Sequence, residues 1–257
     1  MSYNVTEQLS WGGCDALVES YASVIVEQYE ELLLLLSRWD SELALLGKDS
    51  THIDWNSFHV LRLSREEDWS DWLGFLIAQS NTGVFAQSLF GETARASELA
   101  SPTKVEREVP YGQYRADLIV QWSDAKYSHI EVKVGDYNLS KTYATSKAMQ
   151  SKYNQTSENW ADHILLLSSQ MTEWEAVAQK DNRTIGVLTW EDVAVSLRRA
   201  LRSEESVLWK AWAYSFTGAI EQLLLGYSGH KLRERPFANV ETKIAILKKG
   251  FEDDDRS

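Results

Sequence analysis

The spacing of apolar residues changes along this chain, and each change marks an element. Over residues 15–46 they recur mostly at three and four: Leu17, Val18, Tyr21, Val24, Ile25, Tyr29, Leu32, Leu33, Leu35 and Leu36, continued by Trp39, Leu43 and Leu45. That period predicts a long amphipathic helix, which Gly47-Lys48-Asp49-Ser50 stops. Ser64 and Glu67 are spaced as a capping box, and the helix they open buries Trp69, Trp72, Leu73, Leu76 and Ile77. The period then falls to two. Arg115-Ala116-Asp117-Leu118-Ile119-Val120-Gln121-Trp122 and Tyr127-Ser128-His129-Ile130-Glu131-Val132-Lys133-Val134 both alternate like strands. Four turn-like residues, 123–126, join them as a hairpin.

Downstream, residues 140–154 are expected to be helical, with strands over 163–167 and 184–188. Thr189 caps a helix over 190–201, with Glu191 and Asp192 in its first turn. A Trp- and Leu-rich helix is expected over 205–227. This alternation predicts an α/β fold: a mixed central sheet flanked by helices, with an N-terminal helical extension. Residues 1–51 form the acidic N-terminal segment, 52–250 the main domain, and 251–257 an acidic tail.

The hairpin carries the candidate chemistry. Ala116, Leu118, Val120 and Trp122 are expected on one face, as are Ile130, Val132 and Val134. Asp117, Glu131 and Lys133 fall on the other. Two carboxylates and an ammonium on a partly buried face are costly unless something binds there. Hard cations such as Mg²⁺ take such oxygen ligands together with substrate phosphate. The geometry has a condition: Asp117 and Glu131 share a face only if paired positions sum to an even number. That needs a loop of three or five residues, or a bulge; a plain four-residue loop puts them on opposite faces. Glu66, three residues before Trp69, lies on the edge of its helix's apolar face and within reach of the hairpin. Whether Glu66 or Glu67 turns to the site stays open at this level.

Asp117, thirteen intervening residues and Glu131-Val132-Lys133 on a hairpin resemble the core of the PD-(D/E)XK nuclease superfamily. Gln150-Ser151-Lys152-Tyr153 resembles the Q-x-x-Y element of its RecB-like branch, and residues 65–73 resemble the acidic start of its first core helix. The resemblance covers roughly residues 64–200, with Ala116 where the superfamily usually has proline. It implies a restriction-endonuclease-like core and Mg²⁺-dependent phosphodiester hydrolysis, with Mn²⁺ as substitute. Asp117, Glu131, the Val132 carbonyl and Glu66 would hold the metal, and Lys133 the attacking water or the phosphate. Gln150 and Tyr153 would orient the lysine or touch the substrate strand. DNA is the expected substrate, in restriction, repair or anti-phage defence.

Composition narrows this little. The single cysteine, Cys14, excludes an intrachain disulfide and is read as a packing residue. No apolar run is long enough for a membrane span and no secretory leader is evident, so a cytoplasmic, non-membrane protein is expected. The net charge of −12 opposes non-specific nucleic-acid binding. It is unevenly placed, however: residues 1–100 hold 5 Lys and Arg against 16 Asp and Glu, and the remainder 21 against 22. Arg115 either meets phosphate or balances the acids. Arg198, Arg199 and Arg202, and His230, Lys231, Arg233 and Arg235, either track a backbone or sit on solvated helix ends. Three rivals stand: a non-catalytic scaffold of the same fold, a ribonuclease, and a subunit active only with a partner. The N-terminal helices would dock that partner or form a homodimer.

Overall fold

A five-stranded mixed sheet organises the protein, in the order β1-β2-β3-β4-β5. The computed structural model describes residues 11–53, 55, 61–91, 101–135, 141–178, 184–227 and 240–252, with side chains from residue 19 onward. Strands β1 (Pro102–Tyr111), β2 (Tyr114–Trp122) and β3 (Tyr127–Val132) form an antiparallel meander. β4 (Trp160–Leu166) and β5 (Gly186–Thr189) run parallel to β3. They are reached through crossover helices α4 (Lys141–Lys152) and α5 (Met171–Ala178), because a parallel neighbour cannot be joined by a tight turn.

The helices cover both faces. On one side lie α1 (Trp11–Glu42), α2 (Glu66–Gln79), α3 (Val84–Phe90), α6 (Trp190–Ser203), α7 (Val207–Ala219) and α8 (Val240–Lys249). They share a core with Leu118, Val120, Trp122, Ile130, Val132, Leu165 and Leu188. Leu32, Leu35, Trp39 and Leu43 place the second half of α1 in that same core. The opposite face packs Ile119 against Met149 and Trp160, and Ile164 and Leu166 against Tyr143 and Trp174. Gly74 lets α2 lie directly on β2: a Cβ there would stand 2.7 Å from the Leu118 side chain. Arg107 of β1 also pairs with Asp71 of α2.

Several sequence expectations need correction. β1 has no clear strand pattern in the sequence: Lys104, Glu106 and Glu108 interleave with Val105, Arg107 and Val109, and Pro102 and Pro110 punctuate it; charge and proline are what an edge strand uses against further pairing. Helices α3, α5 and α8 also add to the expected set. The capping box is shifted by one residue: the Asp68 carboxylate, not Glu67, accepts from the Ser64 and Arg65 amides at 2.9 Å each. The long helix over 205–227 is α7 followed by a π turn at Ile220–Leu224.

Arg198 is fully buried, not a surface cation. Its guanidinium donates to Asp49 at 2.7 and 3.3 Å and to Glu221 at 2.7 and 2.9 Å, and Lys243 also holds Glu221. Burial alone would raise the Asp49 carboxyl, but Arg198 and Lys243 hold it far below the usual carboxylate range. This tetrad ties the turn after α1, α6, the π turn and α8. Arg199 and Arg202 donate to the carbonyls of Lys249, Gly250 and Phe251 at the end of α8. The cluster His230, Lys231, Arg233 and Arg235, the side chain of Cys14 and the tail beyond residue 252 lie outside the described residues. Among the described residues no helix is long and apolar enough to cross a membrane.

Candidate active site

The β2–β3 hairpin meets the register condition. Leu118 pairs with Ile130 and Gln121 with Tyr127, so paired positions sum to an even number. The loop is three residues long, 123–125, because Trp122 and Lys126 still pair through a 2.9 Å hydrogen bond. Ala125 takes the left-handed conformation (φ 63°) that closes such a loop. One step beyond the Leu118–Ile130 pair, Asp117 stands opposite Glu131.

There the sheet opens on both sides of Asp117. The β2–β3 ladder ends at Leu118–Ile130, and Asp117 Oδ2 accepts the Val132 amide at 2.8 Å with its side chain. Towards β1, the register passes from Arg107–Leu118 to Val109–Ala116 with no Glu108–Asp117 pair, and Glu108 has φ 50°. The break also redirects Ala116, which packs with Val109 and Ile119 instead of continuing the Leu118 face. Irregular backbone of this kind re-aims a side chain at a ladder's end.

Lys133 is the hub. Its Nζ lies 3.0 Å from Glu131 Oε1 and 3.0 Å from Glu66 Oε1. Glu66, the first residue of α2, also accepts the Val134 amide at 3.1 Å. Glu66 therefore faces the site, while Glu67 pairs with Arg115 at 2.9 Å. Arg115 also holds Glu108 at 2.7 Å, so in this structure it balances acids. Burial would lower the Lys133 ammonium pKa, but Glu131, Glu66 and Asp117 together push it up. Burial and the negative Glu131 also push the Asp117 carboxyl up, to about 7.

Two residues absent from the sequence reading complete the cluster. His129, two positions before Glu131 and on its face, is fully buried. Its Nδ1 lies 3.1 Å from Asp162, its β4 register partner, and its ring stacks on Trp160 at an 18° interplanar angle. Its Nε2 is 3.8 Å from Glu131 Oε2. Both atoms are buried without a hydrogen-bond partner among the described residues. The i, i+2 spacing of His129 and Glu131 was visible beforehand; the parallel partner Asp162 was not.

Gln150 and Tyr153 sit elsewhere. Gln150 faces Ser157 at 3.5 Å, and the Tyr153 hydroxyl donates to Glu106 at 2.9 Å. The Tyr153 ring packs on Tyr127 and Trp160. Tyr127 begins β3 and Lys133 follows its end, about 20 Å away at ~3.3 Å per residue. Since α4 runs back along the sheet, its last turn lies at the far end from Lys133.

Among the described residues no three His, Cys, Asp or Glu side chains already stand as a metal cluster; the Lys133 ammonium fills the space between Glu131 and Glu66. In donor type the set still suits a hard divalent cation: two carboxylates on opposed strands, one with a buried unpaired oxygen, and a third carboxylate at hand. The chain matches no family model, no curated protein and no solved structure.

Proposed function

We propose that this protein is a metal-dependent nuclease of the PD-(D/E)XK type that hydrolyses phosphodiester bonds in DNA. One observation carries the reading: the hairpin register sets Asp117 opposite Glu131, with Lys133 bridging Glu131 to Glu66. Asp117, Glu131 and the Val132 carbonyl would hold Mg²⁺ or Mn²⁺, with Glu66 joining when Lys133 turns to substrate. A bound divalent cation supplies an acidified water and neutralises phosphate charge.

The chain's own groups do the rest. Lys133 Nζ donates to a phosphate oxygen or to the attacking water, where its charge opposes the negative charge that builds in the transition state. Glu131 and Glu66 keep that ammonium charged and aimed. His129, fixed by Asp162 and Trp160, limits how Glu131 can turn. Gln150 and Tyr153 keep no part in this reading.

A second reading has one observation in its favour. Lys133 already has two carboxylate partners at 3.0 Å, the pattern of a structural ion cluster on a non-cutting scaffold. The two readings separate in one experiment: cleavage of supercoiled plasmid, linear DNA and single-stranded RNA with Mg²⁺ or Mn²⁺, comparing the parent with Lys133→Ala. Metal-dependent cutting of DNA that the variant lacks supports the nuclease. Cutting confined to RNA makes it a ribonuclease. No cutting, together with no Mn²⁺ binding that Asp117→Ala abolishes, supports the scaffold.

A further inference from the structure

A cavity of about 700 Å³ opens directly beside the candidate site. Glu66 and Val134 belong to both. Trp69 and Leu224 are among its apolar walls, and Arg62 and Arg65 line it from positions exposed to solvent. Its size falls within the roughly 300–1,000 Å³ that small-ligand sites span. Residues 1–100 hold only 5 Lys and Arg against 16 acids, and two of those five cations stand at this cavity. A concave apolar space with arginines on its rim, in an otherwise acidic region, matches a flat apolar ring attached to a phosphate.

We infer that this cavity receives an unpaired nucleobase next to the scissile phosphate, so that the enzyme acts on single-stranded or frayed DNA in preference to continuous duplex. This rests on the nuclease reading, because Glu66 makes the cavity the neighbour of Lys133 and hence of the reacting phosphate. A base inside a duplex is stacked and paired, and it reaches a protein pocket only by leaving the helix. Apolar and aromatic walls take such a base without regard to its identity, since each base offers the same kind of flat face. Arg62 and Arg65 then hold the phosphates on either side as the strand passes the rim.

The test compares initial rates with Mg²⁺ on a single-stranded circular DNA and on a relaxed, covalently closed duplex circle, neither of which has ends. The parent is expected to cut the single strand at least tenfold faster. Leu223→Trp fills the cavity from the π turn, at a position 37% exposed where a larger side chain is tolerated. It is expected to raise KM for the single strand at least tenfold while Mn²⁺ affinity, read by calorimetry, stays at the parent's value. Arg62→Ala, an exposed change, is expected to raise the same KM severalfold. Equal rates on the two circles overturn the inference and leave the nuclease intact. So does a Leu223→Trp protein, folded by near-ultraviolet circular dichroism, that keeps the parent's KM. Failure to cut either circle, and linear DNA as well, overturns the nuclease reading and this inference with it.

Discussion

Lys133→Met asks whether the hub is a structural ion cluster or a site poised for a cation. The ammonium is 7% exposed and lies between Glu131, 9% exposed, and Glu66, 27% exposed. Breaking a buried pair by removing one partner costs about 3–5 kcal/mol, because the other charge stays behind uncompensated. Glu131 is that stranded charge, with Asp117 opposite it. Glu66 is more exposed and can turn towards water, which places the expected loss near the lower end, about 3 kcal/mol. For a chain of this size each kcal/mol moves Tm by about 2–4 °C, so the fall in EDTA is about 6–12 °C. A divalent cation that binds only the folded protein stabilises it by about 2.7 kcal/mol at a hundredfold excess over Kd. With the ammonium gone Glu131 and Glu66 lack their compensating charge, so Mn²⁺ is expected to restore more stability to Lys133→Met than it adds to the parent. Scanning calorimetry of parent, Lys133→Met and Asp117→Ala, each in EDTA and in Mn²⁺, reads all of this. A fall below about 1 kcal/mol in EDTA, or a Mn²⁺ response in Lys133→Met no larger than in Asp117→Ala, would refute the reasoning.

Two further outcomes are expected. Asp117 is pushed up to about 7, so between the ordinary carboxylate pKa near 4 and that value the folded chain keeps a proton that the unfolded chain has released. Metal-free stability should therefore fall as pH rises through that window, by up to about 1.4 kcal/mol per unit, and level off above it. Asp117→Asn should lose that slope in urea titrations; parallel curves for parent and variant from pH 4 to 8 would sink the argument. Arg198→Met strands Asp49 in the core, leaves Glu221 to Lys243 alone and is expected to cost about 4–5 kcal/mol at pH 7. The depressed Asp49 contributes stability that is present above the ordinary carboxylate pKa and lost as pH falls towards its folded value, so the parent should weaken steeply below pH 4 and the variant much less. A variant within 1 kcal/mol of the parent at pH 7 would show the tetrad to be neutral.

What could be read in advance was whatever depends on near neighbours in the chain. The period of two around Asp117 and Glu131 named the two strands and, within each, set the charged residues against the apolar ones, because alternation follows from the extended backbone itself. The period of three and four named α1 and α2, and Thr189 named the start of α6, where its hydroxyl and Asp192 form the expected cap.

Everything that depended on a distant partner was decided by the fold. Whether Lys126 belonged to the loop or to the ladder fixed the parity of the hairpin, and only the closed turn at Ala125 settled it. Glu66 and Glu67 are alike as helix-start acids; the seating of α2 on β2 through Gly74 turns one to Lys133 and leaves the other to Arg115. Asp162 meets His129 through a parallel pairing, whose register has no local marker. Arg198 stands in a run that reads as a basic surface, yet Asp49 and Glu221 neutralise it in the core. A residue's charge is local, but the field that makes it ligand, counter-ion or core member is the sum over groups far away in the chain. Tertiary packing alone brings those groups within a few ångströms, where low polarity and short distance give each charge its effect.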